Sequence, residues 1–234
     1  MPHKFSTIAF DADDTLWENE AFFRLTQDRF AQLLVDYTDP DTLAARLLAA
    51  ERRNLGHYGF GIKGFVLSMI ETAIEVTDEK VPATVIKELI DAGQDMLRHP
   101  IHLLDGVTET IEKLASDYDI LMITKGDLLD QERKLAQSGL GDKFDGIEIV
   151  SAKDCATYRN IFTHRQIDPN SAMMVGNSMK SDVIAPIQAG AWGVFVPHNL
   201  TWAIEHAAPP VGHARFHELE NLFGLPDLIH TLST

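Results

Sequence analysis

The chain has 234 residues, a formal net charge of -15, 45% hydrophobic and 24% charged residues, and a single cysteine, Cys155. Such proportions belong to an ordinary globular protein, long enough for one large domain or for a core with a smaller companion. An acidic chain without clustered Lys and Arg is not built for nucleic acid, no run approaches the roughly 18 apolar residues of a membrane span, and a lone cysteine forms no internal disulfide and suits a reducing cytoplasm.

The first residues, Met-Pro-His-Lys-Phe, lead directly into an apolar run, Ser6 to Phe10, which predicts a first strand with no signal peptide before it and hence a cytoplasmic protein. Two carboxylates, Asp11 and Asp13, stand where that run ends. Residues two apart in extended backbone point to one side, so both face one small volume. A hard divalent cation such as Mg2+ answers their repulsion, because it takes oxygen ligands and keeps part of its shell for water and substrate phosphate. Alone, the stretch reads equally well as a turn capping the next helix, and Asp14 fits that role.

A helical stretch follows. Phe22, Phe23, Phe30, Leu33 and Leu34 share one face of a helix over 18–37, with Trp17 and the two phenylalanines as core. Asp39-Pro40 opens a second helix reaching Gly56, the glycines of 56–61 predict a loop, and two more helices cover 62–76 and 82–99. Tyr58 and Lys63 flank the glycine-rich loop as candidate substrate contacts.

From Pro100 the pattern alternates. Strands are predicted over 118–124, 146–151, 172–177 and 193–197, helices over 107–116, 128–137, 156–164 and 181–189, and the tail holds one more extended segment and a closing helix. Pro186 predicts an irregular or late start for the 181–189 helix. This alternation implies a doubly wound, parallel Rossmann-like α/β sheet in 1–17 and 100–234, with a helical insert over 18–99. His213 and His217, the tail's one helix-compatible histidine pair, lack the further ligand a metal site needs.

Every strand of a parallel sheet ends on one edge. That edge would collect Asp11 and Asp13, then Thr124-Lys125-Gly126, then Lys153, then Asn177-Ser178 with Asp182. In this order the chain resembles the haloacid dehalogenase superfamily, whose most common members are Mg2+-dependent phosphatases. The four motifs match Asp11 with Asp13, Thr124, Lys153, and Asn177 with Asp182, and the helical insert falls where the family carries a cap domain. The resemblance implies Asp11 as the nucleophile forming an aspartyl-phosphate, Asp13 as general acid and base, Thr124 and Lys153 as phosphoryl contacts, and Asp11, Asp13, Asn177 and Asp182 as the Mg2+ set. Lys125 and Gly126 join the substrate-binding group, with Lys125 a rival to Lys153 because Asp154 follows Lys153 where many relatives have proline. Asn177 stands where relatives usually carry aspartate, and Ser178 either touches the metal shell or caps its turn. The expected partner is a small phosphorylated metabolite. Two alternatives remain, a 2-haloacid dehalogenase working through the same aspartate without metal, and a non-catalytic metabolite-binding protein on this fold.

Overall fold

The computed structural model describes residues 4–234; Met1–His3, read above as part of the lead into the first strand, lie outside the described residues. The chain forms two compact units, Met1–Glu18 with Ile101–Thr234, and Asn19–Pro100. In chain order the elements are β1 (Thr7–Phe10), α1 (Glu20–Leu33), α2 (Pro40–Tyr58), α3 (Ile62–Val76), α4 (Ala83–Arg98), α5 (Val107–Leu114), β2 (Asp119–Lys125), α6 (Leu128–Ser138), β3 (Gly146–Val150), α7 (Cys155–Arg165) and β4 (Ala172–Gly176). A π-helical segment, Met179–Ile184, then runs into α8 (Ala185–Gln188), followed by β5 (Trp192–Phe195), β6 (Phe216–Glu218) and α9 (Leu225–Ser233).

The six strands form one sheet in the order β3-β2-β1-β4-β5-β6, every neighbouring pair parallel. Both faces are covered. Ile8, Phe10, Ile120, Met122, Met173 and Val175 pack in one cluster with Val107 and Ile111 of α5 and Leu225 and Ile229 of α9. Their neighbours Ala9, Leu121, Ile123 and Met174 pack in another with Tyr158, Ile161 and Phe162 of α7 and Ala185 of α8. A strand buried on two sides cannot alternate apolar with polar, which is why Thr7–Phe10 and the centre of β2 read as unbroken apolar runs. Phe10 is level with Met122 and Val175, so β1 ends beside its neighbours, and the direction of winding reverses at this strand. An open α/β sheet gathers its ligands outside the strand ends at such a reversal.

The helical unit has its own core, in which Phe30, Leu34, Leu43, Leu47, Phe65, Met69, Leu89 and Met96 are buried together. Asp39 caps α2 by accepting from Thr42 N at 2.9 Å, with Pro40 in the first turn. Two boundaries differ from the sequence reading. α2 runs through Gly56 to Tyr58, because one helical glycine costs only about 1 kcal/mol, and the break comes at Gly59 and Gly61, whose φ of 72° and 121° a helix does not allow. α1 spans Glu20–Leu33, shorter than 18–37 at both ends. At the other irregular helix, Pro186 supplies no N–H to the turn before it, and the six residues 179–184 are wound in wide π turns.

Ile120 and Leu121 are both buried but face opposite layers. Ile120→Ala and Leu121→Ala should therefore each destabilise the fold by about 2–5 kcal/mol in urea unfolding. If either change stayed within about 0.5 kcal/mol, as at solvated positions, that face of the sheet would not be covered.

Candidate active site

Asp11 follows the last residue of β1, and its N–H donates to Val175 O at 2.9 Å, which extends the ladder to β4 by one residue and holds the carboxylate at the sheet edge. Lys153 reaches it from beyond β3. Its Nζ lies 2.6 Å from Asp11 Oδ1 and 2.5 Å from Asp182 Oδ1, and the residue is 5% exposed. Asp154, the next residue, caps α7 by accepting from Thr157 N at 2.8 Å, so the lysine is fixed at the junction of strand and helix. Burial works to lower the ammonium pKa, but Asp11 and Asp182 outweigh it and the value is raised. Asp11 is pushed up to about 7, first by burial and then by the charge of Asp182, with Lys153 acting against both.

The second oxygen of Asp182, Oδ2, accepts from Ser178 N at 2.9 Å. Lys153 and a backbone amide thus engage its two oxygens, which makes Asp182 the second counter-charge of Lys153. Gly176 makes this possible, since a Cβ there would stand 2.3 Å from Asp182 Oδ2.

Beyond Asp11 the chain turns sharply. Leu16 N donates to Ala12 O at 2.8 Å, and buried Asp14 adopts a left-handed φ of 59° with its carboxylate 3.7 Å from His198 Nδ1. Asp13 is tightly held. Trp17 Nε1 and Lys134 Nζ donate to its Oδ1 at 2.8 and 2.9 Å, and Gln131 Nε2 donates to Oδ2 at 2.9 Å. Burial favours the neutral acid, but Lys134 and these hydrogen bonds outweigh it and hold the carboxyl below its usual range.

Asn177 meets this turn from the end of β4. Its N–H donates to Thr15 Oγ1 at 3.1 Å. One arm of its side-chain amide lies 3.2 Å from each of Asp11 Oδ2, Asp13 O and Thr15 Oγ1. As an NH2 group that arm donates to all three oxygens; as the carbonyl oxygen it would stand beside Asp11 Oδ2 and Asp13 O as a third oxygen donor. Carboxylate, carbonyl and amide oxygens are the donors Mg2+ takes. This set requires a backbone carbonyl and an amide, and among the described residues no group of three or more His, Cys, Asp or Glu side chains is gathered for a metal.

Thr124 is buried at the end of β2. Lys125, its neighbour, turns elsewhere: Nζ lies 2.5 Å from Glu205 Oε1 and donates to Ser181 Oγ at 2.9 Å. Glu205 Oε2 accepts from Ser178 Oγ and Ser181 Oγ, each at 2.5 Å. Burial opposes the charge of Glu205, but Lys125 and the two hydroxyls outweigh it and hold the carboxyl down to about 2. Ser178 Oγ also caps the π-helical segment, accepting from Ser181 N at 3.1 Å. Of the two rival lysines, Lys153 is the one that contacts Asp11. Gly126 has a φ of 145°, and a Cβ on it would come within 2.9 Å of Gln131 Nε2.

The edge therefore brings together Asp11, Asp13, Thr124, Lys153, Asn177 and Asp182. Glu205, Gln131, Lys134 and the indole of Trp17 belong to the same constellation and were not anticipated as polar partners. Tyr58 and Lys63 lie in the helical unit, at the end of α2 and the start of α3, and the Tyr58 hydroxyl donates to Glu71 Oε1 at 2.9 Å.

Comparison with known proteins agrees with this geometry. The model of a hydrolase family, haloacid dehalogenase-like hydrolase, matches residues 5–190. A haloacid dehalogenase-like family hydrolase from Xanthomonas campestris is similar with 37% identity and a TM-score of 0.89, over 99% of this chain and 93% of that one. Two solved structures share the fold at 18% identity, over 97% of this chain and 99% of theirs: the putative HAD-hydrolase YfnB from Bacillus subtilis, bound to magnesium, with a TM-score of 0.68, and a 2-haloacid dehalogenase from Pseudomonas syringae pv. Tomato, with a TM-score of 0.63. No curated protein matches. No helix among the described residues is long and apolar enough to cross a membrane. With the family model matched along most of its length and the motif residues of that family gathered at one sheet edge, the chain belongs to the haloacid dehalogenase-like hydrolases.

Proposed function

We propose that this hydrolase cleaves small phosphomonoesters in a Mg2+-dependent reaction that passes through an aspartyl-phosphate on Asp11. The observation that carries the reading is the convergence of Asp11 Oδ2, Asp13 O and one arm of the Asn177 amide, with 3.2 Å from that arm to each oxygen. Charge supports it. Asp11, Asp13, Asp182 and Glu205 pair with Lys125, Lys134 and Lys153, four carboxyl groups to three ammonium groups, so a phosphate dianion would add negative charge that an accompanying cation would offset. Mg2+ held by Asp11, Asn177 and the Asp13 carbonyl would keep Asp11 ionised and neutralise phosphoryl charge.

The protein's own groups then divide the work. Asp11 Oδ attacks phosphorus, the covalent route open to a carboxylate. Lys153, fixed between two carboxylates, steadies Asp11 and neutralises charge on the transferring group, and Thr124 donates to a phosphoryl oxygen. Asp13 protonates the leaving oxygen and in the second step takes a proton from the attacking water. Tyr58 and Lys63 would contact the remote part of a phosphorylated metabolite, and Lys125 and Gly126 would shape the strand end that follows Thr124. The 2-haloacid reaction would use Asp11 against carbon, but it gives no purpose to Asp13 held by three donors.

Phosphate release from a panel of phosphomonoesters, each with Mg2+ and with a chelator, tests the reading. Release that depends on Mg2+ and disappears in Asp11→Asn is expected, whereas halide release from 2-haloacids unaffected by chelator would replace it. Asn177→Asp adds a carboxylate beside the other oxygens. An added charge 4 Å from a cation is worth about 4 kcal/mol at an effective dielectric near 20, before desolvation. Several-fold tighter Mg2+ binding in calorimetry, with little gain in turnover, should follow; equal affinities would show that Asn177 does not face the ion.

A further inference from the structure

Helix α6 turns a polar face inward. Asp130, Gln131 and Lys134 are 5%, 2% and 5% exposed, and Leu135 is the only apolar residue among those the helix buries. A helix on a parallel sheet normally presents an apolar stripe, and burying an amide and an ammonium costs free energy unless both find partners. Both reach Asp13, with Lys134 Nζ on Oδ1 and Gln131 Nε2 on Oδ2, each at 2.9 Å, while Lys134 Nζ also lies 3.6 Å from Asp130 Oδ2. Gln131 Nε2 also donates to Lys125 O at 3.0 Å, tying Asp13 to the strand end that carries Thr124. The backbone is shaped to admit this contact, since Gly126 has a φ of 145° and a Cβ there would press on Gln131 Nε2 at 2.9 Å.

A carboxylate offers about four lone-pair positions. Trp17 and Lys134 occupy both on Oδ1 and Gln131 one on Oδ2, so a single position on Oδ2 is left. We propose that Gln131 and Lys134 are positioning residues for the acid-base step, orienting Asp13 so that this one Oδ2 position carries the proton that moves. The inference rests on the reading of Asp13 as the acid-base group. In the first step an Asp11 carboxylate oxygen forms a bond to phosphorus as the phosphorus to leaving-oxygen bond breaks, the electron pair of the broken bond stays on the leaving oxygen, and the proton on Asp13 Oδ2 passes to it. In the second step water forms a bond to phosphorus, its proton returns to Oδ2, and the electron pair of the Asp11–phosphorus bond returns to Asp11.

The test compares 4-nitrophenyl phosphate, whose leaving group departs without a proton, with an alkyl phosphate, whose leaving group needs one. It uses the wild type, Asp13→Asn, Gln131→Leu, Lys134→Met and Lys134→Arg, all with Mg2+. Asp13→Asn sets the scale, with alkyl turnover falling about 100-fold or more relative to aryl turnover, as for loss of a general acid. Gln131→Leu and Lys134→Met should each raise the aryl-to-alkyl ratio of kcat by about tenfold or more, and Lys134→Arg, which keeps a charged donor, should recover much of the loss. Gln131→Leu removes a donor without changing charge, so a shift in both variants identifies orientation as the cause. Parallel losses with both esters, or a shift in Lys134→Met alone, would overturn the proposal. If Asp13→Asn itself shows no leaving-group discrimination, the acid-base reading fails, and the positioning role with it; discrimination in Asp13→Asn alone removes only the positioning role.

Discussion

The pairing of Lys153 with Asp11 and Asp182 is the constraint on which the rest of the site depends. An ammonium and two carboxylates removed from water are expensive unless the geometry is close and the remaining lone pairs are satisfied. Here the ammonium lies 2.6 and 2.5 Å from the two carboxylates, and the far oxygen of Asp182 takes a backbone N–H. Three strand ends must be in register for this, because Asp11 follows β1, Lys153 follows β3 and Asp182 follows β4. Even the absence of a side chain at Gly176 serves it, since a Cβ there would collide with the Asp182 carboxylate. The same pairing gives the site its chemistry: a carboxylate with one oxygen against a fixed cation and the other facing Asn177 is oriented before any substrate arrives.

Around this group the other charges are paired as well, with Lys134 also 3.6 Å from Asp130 Oδ2. Lys134 serves Asp13, and Lys125 serves Glu205, which in turn bridges the hydroxyls of Ser178 and Ser181. The Glu205 bridge pins the start of the π-helical segment to the end of β2, and Asn177 lies immediately before that start. The wide turns forced ahead of Pro186 thus fall in the segment that must deliver Asp182 back toward Lys153 while leaving Asn177 on the other side of Asp11. Local irregularity at a functional strand end is a common use of such turns.

Much of this was readable from the chain. The unbroken apolar runs announced a sheet buried on both faces, and a parallel sheet by itself brings Asp11, Thr124, Lys153 and Asn177 to one edge. The partners of each charge were not readable, because they depend on distances of a few ångströms between loops. Asp182 was expected on the resemblance as a metal ligand, and nothing in the sequence showed its contacts with Lys153 and Ser178 N. Gln131 and Lys134 lie in the helix predicted over 128–137; the cue was their separation of three residues, on one helical face, soon after the strand end that carries Thr124. Glu205 offered no cue, since it lies in the connection between β5 and β6, where no period marks a side chain as buried.

The central claim is that Asp11 carries phosphorus and that Mg2+ is needed for it to do so. Mixing the enzyme with 4-nitrophenyl phosphate, quenching in acid within a single turnover and mapping the digested protein by mass spectrometry tests it most directly. The account predicts a phosphoryl group on the peptide that holds Asp11, formed with Mg2+ and absent when the ion is chelated. Phosphate released with no phosphoryl group trapped on Asp11, or with the group on another residue, would contradict it.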